Sequence, residues 1–368
     1  MPGARVIVHV LGRMTAGGNE RLCLELIRRA PPGVHQALIT IDPESEGPLQ
    51  PLFEAVPGLE FFHEPYARTT RARFVLRLAR RLRALQPRGI VCYPFGLHLL
   101  VALAAKVVPG CRFISHVGNP PAPEGPRRLL FQRIVRASRW LGTPLWSCSG
   151  TVHDQFRALG LGLPVDSRAM PNGVNICELR LAAARGSAKR TEPGPVVAMM
   201  ARLDAIKDHD TVLDAFAILL QERPQARLWL VGDGERRAHL EQRAATLGLF
   251  PAVTFMGVRK SIGELLGQVD VFVFSTTAAE GFGIALAEAM AVGLPIAASD
   301  VPACREVLAG GVCGTLVPPR DAAALARAIN VLIDDPDHGQ QRAAAVARAR
   351  AHYDISDCAR HYYSYLLA

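Results

Sequence analysis

The segment 270–299, DVFVFSTTAAEGFGIALAEAMAVGLPIAAS, decides the architecture. An apolar run at 271–274 leads into a glycine-bearing turn, then a helical stretch at 283–291, then a second apolar run at 296–298. Short apolar runs bounded by turn residues read as strands, and a strand, a helix and a strand in succession imply a parallel sheet covered by helices.

The alternation extends both ways from this segment. Upstream, apolar runs at 196–200, 227–231 and 253–256 are separated by helical patterns at 210–220, after Glu235 and at 262–266; downstream, Leu316-Val317 precedes a helix at 321–333. In that helix Ala322, Leu325, Ala326, Ile329 and Leu332 recur at helical spacing, which makes it core-facing. The first half follows the same scheme, with strands at 6–10, 36–41, 61–62, 90–93, 113–116, 145–148 and 169–174. Helices are predicted at 19–29, 70–85, after Phe95 and at 127–140.

A chain of 368 residues exceeds what one hydrophobic core usually organises, so two α/β domains of similar size are expected. The stretch AAARGSAKRTEPGP at 182–195 reads as an exposed linker. It sets the domains at 1–182 and 183–345, with a helical segment at 346–368.

Apolar residues make up 49% and charged residues 20%, a balance that speaks against disordered and fibrous classes. The net charge of +9 is uneven: up to Arg180 there are 23 Lys and Arg against 12 Asp and Glu, and beyond it 19 against 21. A basic first half suits nucleic acid, an anionic membrane or a phosphorylated substrate on electrostatic grounds. No zinc pattern or RNA-binding signature occurs and aromatics are only 6%, so nucleic acid is not expected as a partner.

The cysteines at 23, 92, 111, 148, 177, 304, 313 and 358 form no CxxC pair and read as small core hydrophobes in a reducing cytosol. The apolar run 6–11 is too short for a signal-peptide core. The longest such stretch, 97–108, contains His98 and Lys106 and falls short of the ~20 residues that span a bilayer. A cytoplasmic protein is expected.

Ligands of open α/β sheets bind beyond the carboxyl ends of strands, where helix N-termini favour anions. Three loops stand at such points. In Gly12 to Glu20, Gly17 and Gly18 would let backbone amides approach a phosphate closely, or simply make a tight turn. In 201–208, Arg202 and Lys207 could converge on one diphosphate, or form a solvated pair. In 280–288, Glu280 precedes a glycine turn and Glu288 stands in an apolar helix, where carboxylates can accept the paired hydroxyls of sugar and ribose rings. Neither glycine cluster fits GxGxxG, which disfavours a nicotinamide dehydrogenase. Asp208-His209-Asp210 spells DxD, but at a helix start, where Asp is the expected cap; no metal is expected there.

ARLDAIKDHDTVLDAF at 201–216, LVGDGERR at 230–237, VTFMG at 253–257, the Glu280-x7-Glu288 block and GTLV at 314–317 follow one another in a familiar order. With them the chain resembles the retaining GT-B glycosyltransferases of the family-4 type, the glycosyl transferases group 1. His116, the run Ser147 to Ser149 and PNGVN at 171–175 fit the same resemblance, so it covers nearly the whole chain, most closely in the second domain.

The resemblance implies two Rossmann-like domains facing across a cleft, with the C-terminal helix packing back on the first. It implies a retaining, metal-independent and cofactor-free transfer from a UDP- or GDP-sugar bound by the second domain to a hydroxyl acceptor bound by the first. Arg202 and Lys207 would clamp the diphosphate, Glu280 would hold hydroxyls of the transferred sugar, and Glu288 the ribose. Amides at Gly281, Phe282 and Gly283 would lie beside the sugar or phosphate, His116 near the sugar, and Gly17-Gly18 near the diphosphate and acceptor. Val117-Gly118-Asn119-Pro120 follows His116 where the family often has an acidic residue, which leaves a buried structural histidine as the alternative.

The expected acceptor is a lipid-linked saccharide at the inner face of a bacterial membrane, in cell-surface polysaccharide or glycolipid synthesis. A soluble glycoside or natural product is the second reading, and a sugar-nucleotide epimerase of the same architecture a third. An anionic membrane surface is a candidate partner: 70–88 carries Arg71, Arg73, Arg77, Arg80, Arg81, Arg83 and Arg88 beside an apolar stripe of Phe74, Leu78, Leu82 and Leu85, and 127–139 is similarly basic. The stripe equally fits a core-facing surface with a solvated basic back.

Overall fold

The computed structural model describes residues 5–15, 17–67, 70–259, 261–335 and 339–368. The chain divides into two compact units, Met1–Gly173 with Ile355–Ala368, and Val174–Asp354. The division falls at Gly173, not near 182.

In the first unit the strands are β1 (Arg5–Leu11), β2 (Val34–Thr40), β3 (Glu60–His63), β4 (Gly89–Cys92), β5 (Arg112–Val117), β6 (Leu145–Ser147) and β7 (Arg168–Ala169). Among the described residues they form one parallel sheet in the order β3-β2-β1-β4-β5-β6-β7. Helices α1 (Gly18–Arg28), α2 (Gln50–Glu54), α3 (Arg71–Leu85), α4 (His98–Ala105), α5 (Gly125–Leu141) and α6 (Gly150–Arg157) connect them. The centre of the sheet is covered on both faces, so Ile7 to Leu11 of β1 are all buried, apolar but for His9, as a central parallel strand requires.

In α3, Phe74, Leu78 and Leu82 recur at helical spacing and are fully buried, while Arg73, Arg80 and Arg83 point outward. The apolar stripe of this helix is therefore core. It is not free for a membrane, and of the two readings the core-facing one holds.

The second unit begins with α7 (Ile176–Ser187). Its strands β8 (Val196–Met200), β9 (Arg227–Val231), β10 (Val253–Gly257), β11 (Val271–Phe274), β12 (Ile296–Ser299) and β13 (Thr315–Val317) form a parallel sheet, among the described residues, in the order β10-β9-β8-β11-β12-β13. Helices α8 (His209–Glu222), α9 (Arg237–Thr246), α10 (Ile262–Leu266), α11 (Ile284–Val292), α12 (Pro302–Val307), α13 (Ala322–Asp334) and α14 (Gly339–His352) surround it. In α13, Leu325, Ala326, Ile329 and Leu332 are buried and Ala322 partly so, as their spacing predicts. Both units thus have the Rossmann-type order, in which the sheet grows to one side and then to the other of its first strand.

The stretch expected to be a linker, 182–195, is structured. Asn175 caps α7 by accepting from the Glu178 amide at 3.2 Å, and the helix runs to Ser187. Its glycine is a packing contact: a Cβ on Gly186 would lie 1.9 Å from the Glu264 carbonyl oxygen, and one on Gly267 would lie 1.9 Å from that of Ala183, so α7 and the α10 region touch backbone to backbone. Beyond the helix, Arg190 forks onto Asp270 at 2.6 and 2.7 Å. Glycine and basic residues that look like loop composition are here a helix contact and an anchored strap.

The tail differs as well. The single helix expected at its end is two, because the chain extends at Tyr353-Asp354, where the Val174 amide donates to the Tyr353 carbonyl at 2.8 Å. Helix α14 belongs to the second unit, and α15 (Ile355–Leu367) packs on α1, β4 and β5 of the first, as expected of the returning helix. Tyr362 and Tyr363 anchor it: Tyr363 donates to the Leu26 carbonyl at 2.8 Å and lies 3.2 Å from Gln36 Oε1, and the Tyr362 ring meets Trp146 edge-on at 4.8 Å. All eight cysteines are free thiols; six are buried, Cys111 is half-buried and Cys177 exposed.

Candidate functional site

In the second unit the strand order reverses between β8 and β11, adjacent parallel strands whose connections leave in opposite directions. The loops beyond their carboxyl ends, 201–208 and 275–283, flank the crevice where sheets of this kind take ligands. Arg202, Lys207 and Glu280 stand on these two loops.

Lys207 reaches across to Glu280 and pairs with its Oε2, at side-chain exposures of 16% and 9%. The Lys207 ammonium also lies 4.6 Å over the Phe274 ring. Glu280 gathers more donors: Thr276 Oγ1 at 3.3 Å on Oε2, and the amides of Gly281 and Phe282 at 3.2 and 3.3 Å on Oε1. Burial alone would raise the carboxyl pKa, but the Lys207 charge and these hydrogen bonds outweigh it and hold the group below its ordinary value. Glu280 is an anion in a cradle of four donors. The amides expected beside a sugar or phosphate at Gly281 and Phe282 point at Glu280 itself.

Gly283 has φ 83°, the left-handed region open to glycine, and a Cβ there would press on Leu286 and Phe274 at 3.2 and 3.3 Å. This turn starts α11, on which Glu288 stands half-buried between buried Ala287 and Ala289. Phe282 is buried against Tyr353, ring centroids 5.2 Å apart.

Arg202 and Lys207 share a loop but do not converge. Arg202 is 64% exposed and its Nε donates to Asp204 at 2.6 Å. Asp204, which the sequence reading passed over, also accepts from the amides of Ile206 and Lys207 at 3.0 and 3.2 Å and so folds the loop around itself. His209 fixes the same loop through the Lys207 carbonyl at 2.8 Å. Its fully enclosed ring is pushed down to a pKa of about 4, chiefly by burial.

Asp208 occupies the cap position of α8 without bonding a helix amide. Its carboxylate takes Thr211 Oγ1 at 2.7 Å and Ser275 Oγ at 3.2 Å, tying the helix start to the end of β11. Asp210 turns instead to Arg236 and His239, both at 2.8 Å, so the two carboxylates of the DxD go to separate partners. The other glycine cluster has a packing role: a Cβ on Gly232 or Gly234 would strike the carbonyls of Ala201 or Leu203 at 1.9 and 2.3 Å, so these glycines let the loop after β9 press against the Arg202 loop.

In the first unit Gly17 and Gly18 open α1 just beyond β1; Ala16, in the same loop, lies outside the described residues. His116 is on β5, and a Cβ on the nearby Gly118 would lie 3.0 Å from Asn19 Oδ1, so the end of β5 and the start of α1 adjoin. His116 itself is fully buried. Its Nδ1 pairs with the Tyr362 hydroxyl at 3.0 Å, its ring centroid is 5.6 Å from that of Tyr93, and Nε2 has no partner among the described residues. Burial lowers its pKa to about 4. A bond to a hydroxyl of the C-terminal helix 246 residues away could not be read from sequence.

Residues 183–352 match the family described as glycosyl transferases group 1. The chain is 34% identical over 205 residues to the phosphatidyl-myo-inositol mannosyltransferase of Mycobacterium leprae, covering 55% of this chain and 52% of that one. It is 29% identical over 232 residues to the glycogen synthase of Mycobacterium tuberculosis, covering 61% and 54%. It thus spans about half the length of the curated relatives it matches. Among solved structures, Anabaena HepE in complex with UDP and glucose superposes over 98% of both chains with a TM-score of 0.82 at 22% identity. WaaG, a glycosyltransferase involved in lipopolysaccharide biosynthesis, superposes over 97% and 98% with a TM-score of 0.72 at 18% identity. The shared fold is GT-B, built from two Rossmann-like units, and the second unit, over residues 183–352, matches the pattern of the glycosyl transferases group 1.

Proposed function

We propose that the chain is a glycosyltransferase that moves a sugar, with retention and without a metal, from a UDP- or GDP-sugar held by its second unit to a hydroxyl acceptor. The observation that carries this is the meeting of Lys207 and Glu280 at the switch point of the second sheet, with Arg202 on the same loop. A cation and an anion held side by side suit a ligand that offers a diphosphate next to hydroxyls. Donor binding would exchange partners: the diphosphate takes Lys207 and draws in the exposed Arg202 fork, and Glu280 turns its freed oxygen to sugar hydroxyls.

As the glycosidic bond breaks, negative charge grows on the diphosphate, so fixed cations hold the transition state more strongly than the ground state. Glu280, still held on Oε1 by the amides of Gly281 and Phe282, presents its other oxygen to the sugar. Glu288 is assigned to the ribose.

The uridine complexes of HepE support a UDP-sugar as the first donor to try. The relative named for phosphatidyl-myo-inositol supports a lipid-borne acceptor, and we place the enzyme peripherally at the inner face of a membrane, in cell-surface glycan synthesis. The test is thermal unfolding with UDP, GDP and their sugars, since a ligand of the native state raises the melting temperature. If none of them shifts melting at millimolar concentration, the proposal fails. Slow hydrolysis of the donor that survives excess EDTA is expected; an absolute requirement for a divalent ion would overturn the metal-free part.

A further inference from the structure

We infer that the outward faces of α3, α4 and α5 form a docking surface for anionic phospholipid bilayers, with α5 as the segment that enters the interface. The inference deepens the membrane-acceptor reading by naming the face, and it differs from the sequence expectation, which put the apolar contribution on α3.

The rotation of α5 is fixed from behind. Val135 and Ser138 are buried, Ser138 Oγ lies 2.9 Å from His98 Nε2, and the Phe131 ring packs edge-on to Phe156 at 5.8 Å. Opposite them Leu129, Arg133, Arg136 and Trp140 recur at spacings of four, three and four, one outward stripe of the helix. Leu129 is 58% exposed and Trp140 85%. Two arginines bracketed by a leucine and a tryptophan are the elements of an interfacial helix: apolar groups that enter the headgroup region, cations that meet phosphate.

The neighbours continue the face. Helices α3, α4 and α5 lie side by side over one core, with Leu76 of α3 and Leu103 of α4 also exposed. The three helices hold six arginines in α3, five in α5 and not one Asp or Glu. An ordinary solvated surface intersperses both signs. Glu64 pairs with Arg77 and Arg81, but the other nine arginines leave the face strongly cationic, so a second copy would repel the first, and nucleic acid would give the exposed leucines and Trp140 nothing to bury against. An anionic bilayer satisfies both the charge and the apolar groups.

Trp140 supplies the readout. Of the three tryptophans, Trp146 and Trp229 are buried, so a change in emission on vesicle addition reports Trp140. The nucleotide-free full chain is mixed with phosphatidylcholine vesicles with and without phosphatidylglycerol. With phosphatidylglycerol the emission should shift to the blue, be quenched by brominated acyl chains, and recover in high salt.

Arg133→Gln and Arg136→Gln should each weaken association about fivefold, and Leu129→Ser about tenfold. These positions are exposed, so the melting temperature should not move. Equal binding to neutral vesicles, binding indifferent to the three substitutions, or self-association through this face would each overturn the inference. So would duplex DNA displacing the vesicles without any shift in Trp140 emission. No sugar transfer is involved, so failure here leaves the nucleotide-binding test untouched, and the reverse.

Discussion

Lys207 and Glu280, 73 residues apart in sequence, form a nearly enclosed ion pair between the loops that end β8 and β11. Each neutralises the other in the free protein. Removing either leaves the other a nearly enclosed charge without its counter-ion. Lys207→Met should therefore lower unfolding stability by about 3 kcal/mol. Lys207→Met with Glu280→Gln should recover most of that loss, because both charges go together. Urea titrations of the three proteins decide it; a double variant no more stable than Lys207→Met would mean that the pair carries no such coupling.

Arg202 makes the opposite prediction. Its pair with Asp204 is exposed, and such pairs contribute roughly 0–1 kcal/mol, so Arg202→Ala should fold almost normally. If the side chain moves onto the diphosphate as charge develops there, the same change should lower kcat by roughly 10²–10³. Steady-state kinetics beside a melting curve separate the two; a raised KM with unchanged kcat would place Arg202 in ground-state binding only.

The two glutamates are separated by calorimetry with the bare nucleoside diphosphate. Glu280→Gln should leave that affinity undiminished while slowing transfer, since the substitution frees Lys207 and removes only a sugar contact. Glu288→Gln should weaken it roughly tenfold, the loss expected when a charged acceptor of ribose hydroxyls becomes neutral. The reverse pattern would mean that the two assignments are exchanged.

Acid should destabilise the first unit by a specific route. His9, His98 and His116 are buried and held neutral, each pushed down to a pKa of about 4, chiefly by burial. Unfolded, each takes up a proton near pH 6.5, so between 6.5 and 4 the unfolded chain binds more protons and stability falls as pH falls. The loss per histidine is on the order of 3 kcal/mol by pH 4. Replacing His9 by Gln should flatten the slope of stability against pH across that window; an unchanged slope would exclude His9 from it.

Backbone contact between α7 and the α10 region gives a test in the second unit. Gly267→Ala would place a methyl 1.9 Å from the Ala183 carbonyl oxygen and should cost about 2 kcal/mol or more. Gly96→Ala, with nothing within 4 Å of the added carbon, should stay within about 0.5 kcal/mol of the parent.

These residues also show what a sequence can and cannot carry. The parallel sheets were legible because buried strands and amphipathic helices write their periods locally: 271–274, 283–291 and 296–298 fall on β11, α11 and β12 within a residue or so. The placing of Arg202, Lys207 and Glu280 at strand ends was legible for the same reason. Their pairing was not. Whether Lys207 meets a ligand or Glu280 depends on strand order, and β8 lies beside β11 only because two intervening strands were laid on the other side. Asp204 and His209 escaped notice because they bind backbone groups of the loop itself, which leaves no pattern in spacing. Gly186 of α7 was misread because a glycine needed for close contact and one needed for a turn are the same letter.

The chain crosses between its units twice, at Gly173 and again at Asp354, and α15 closes over the first sheet with Tyr362, Tyr363 and Leu366 buried in its core. A ribosome makes this protein in an order that the architecture does not respect. When residue 173 emerges, seven strands are available but the sheet still shows an uncovered apolar patch where α15 belongs. The second unit has all its parts by residue 354, so the half begun first is the half completed last. Until α15 is made, the nascent first unit exposes the surface around Trp146 and Leu26 that this helix covers.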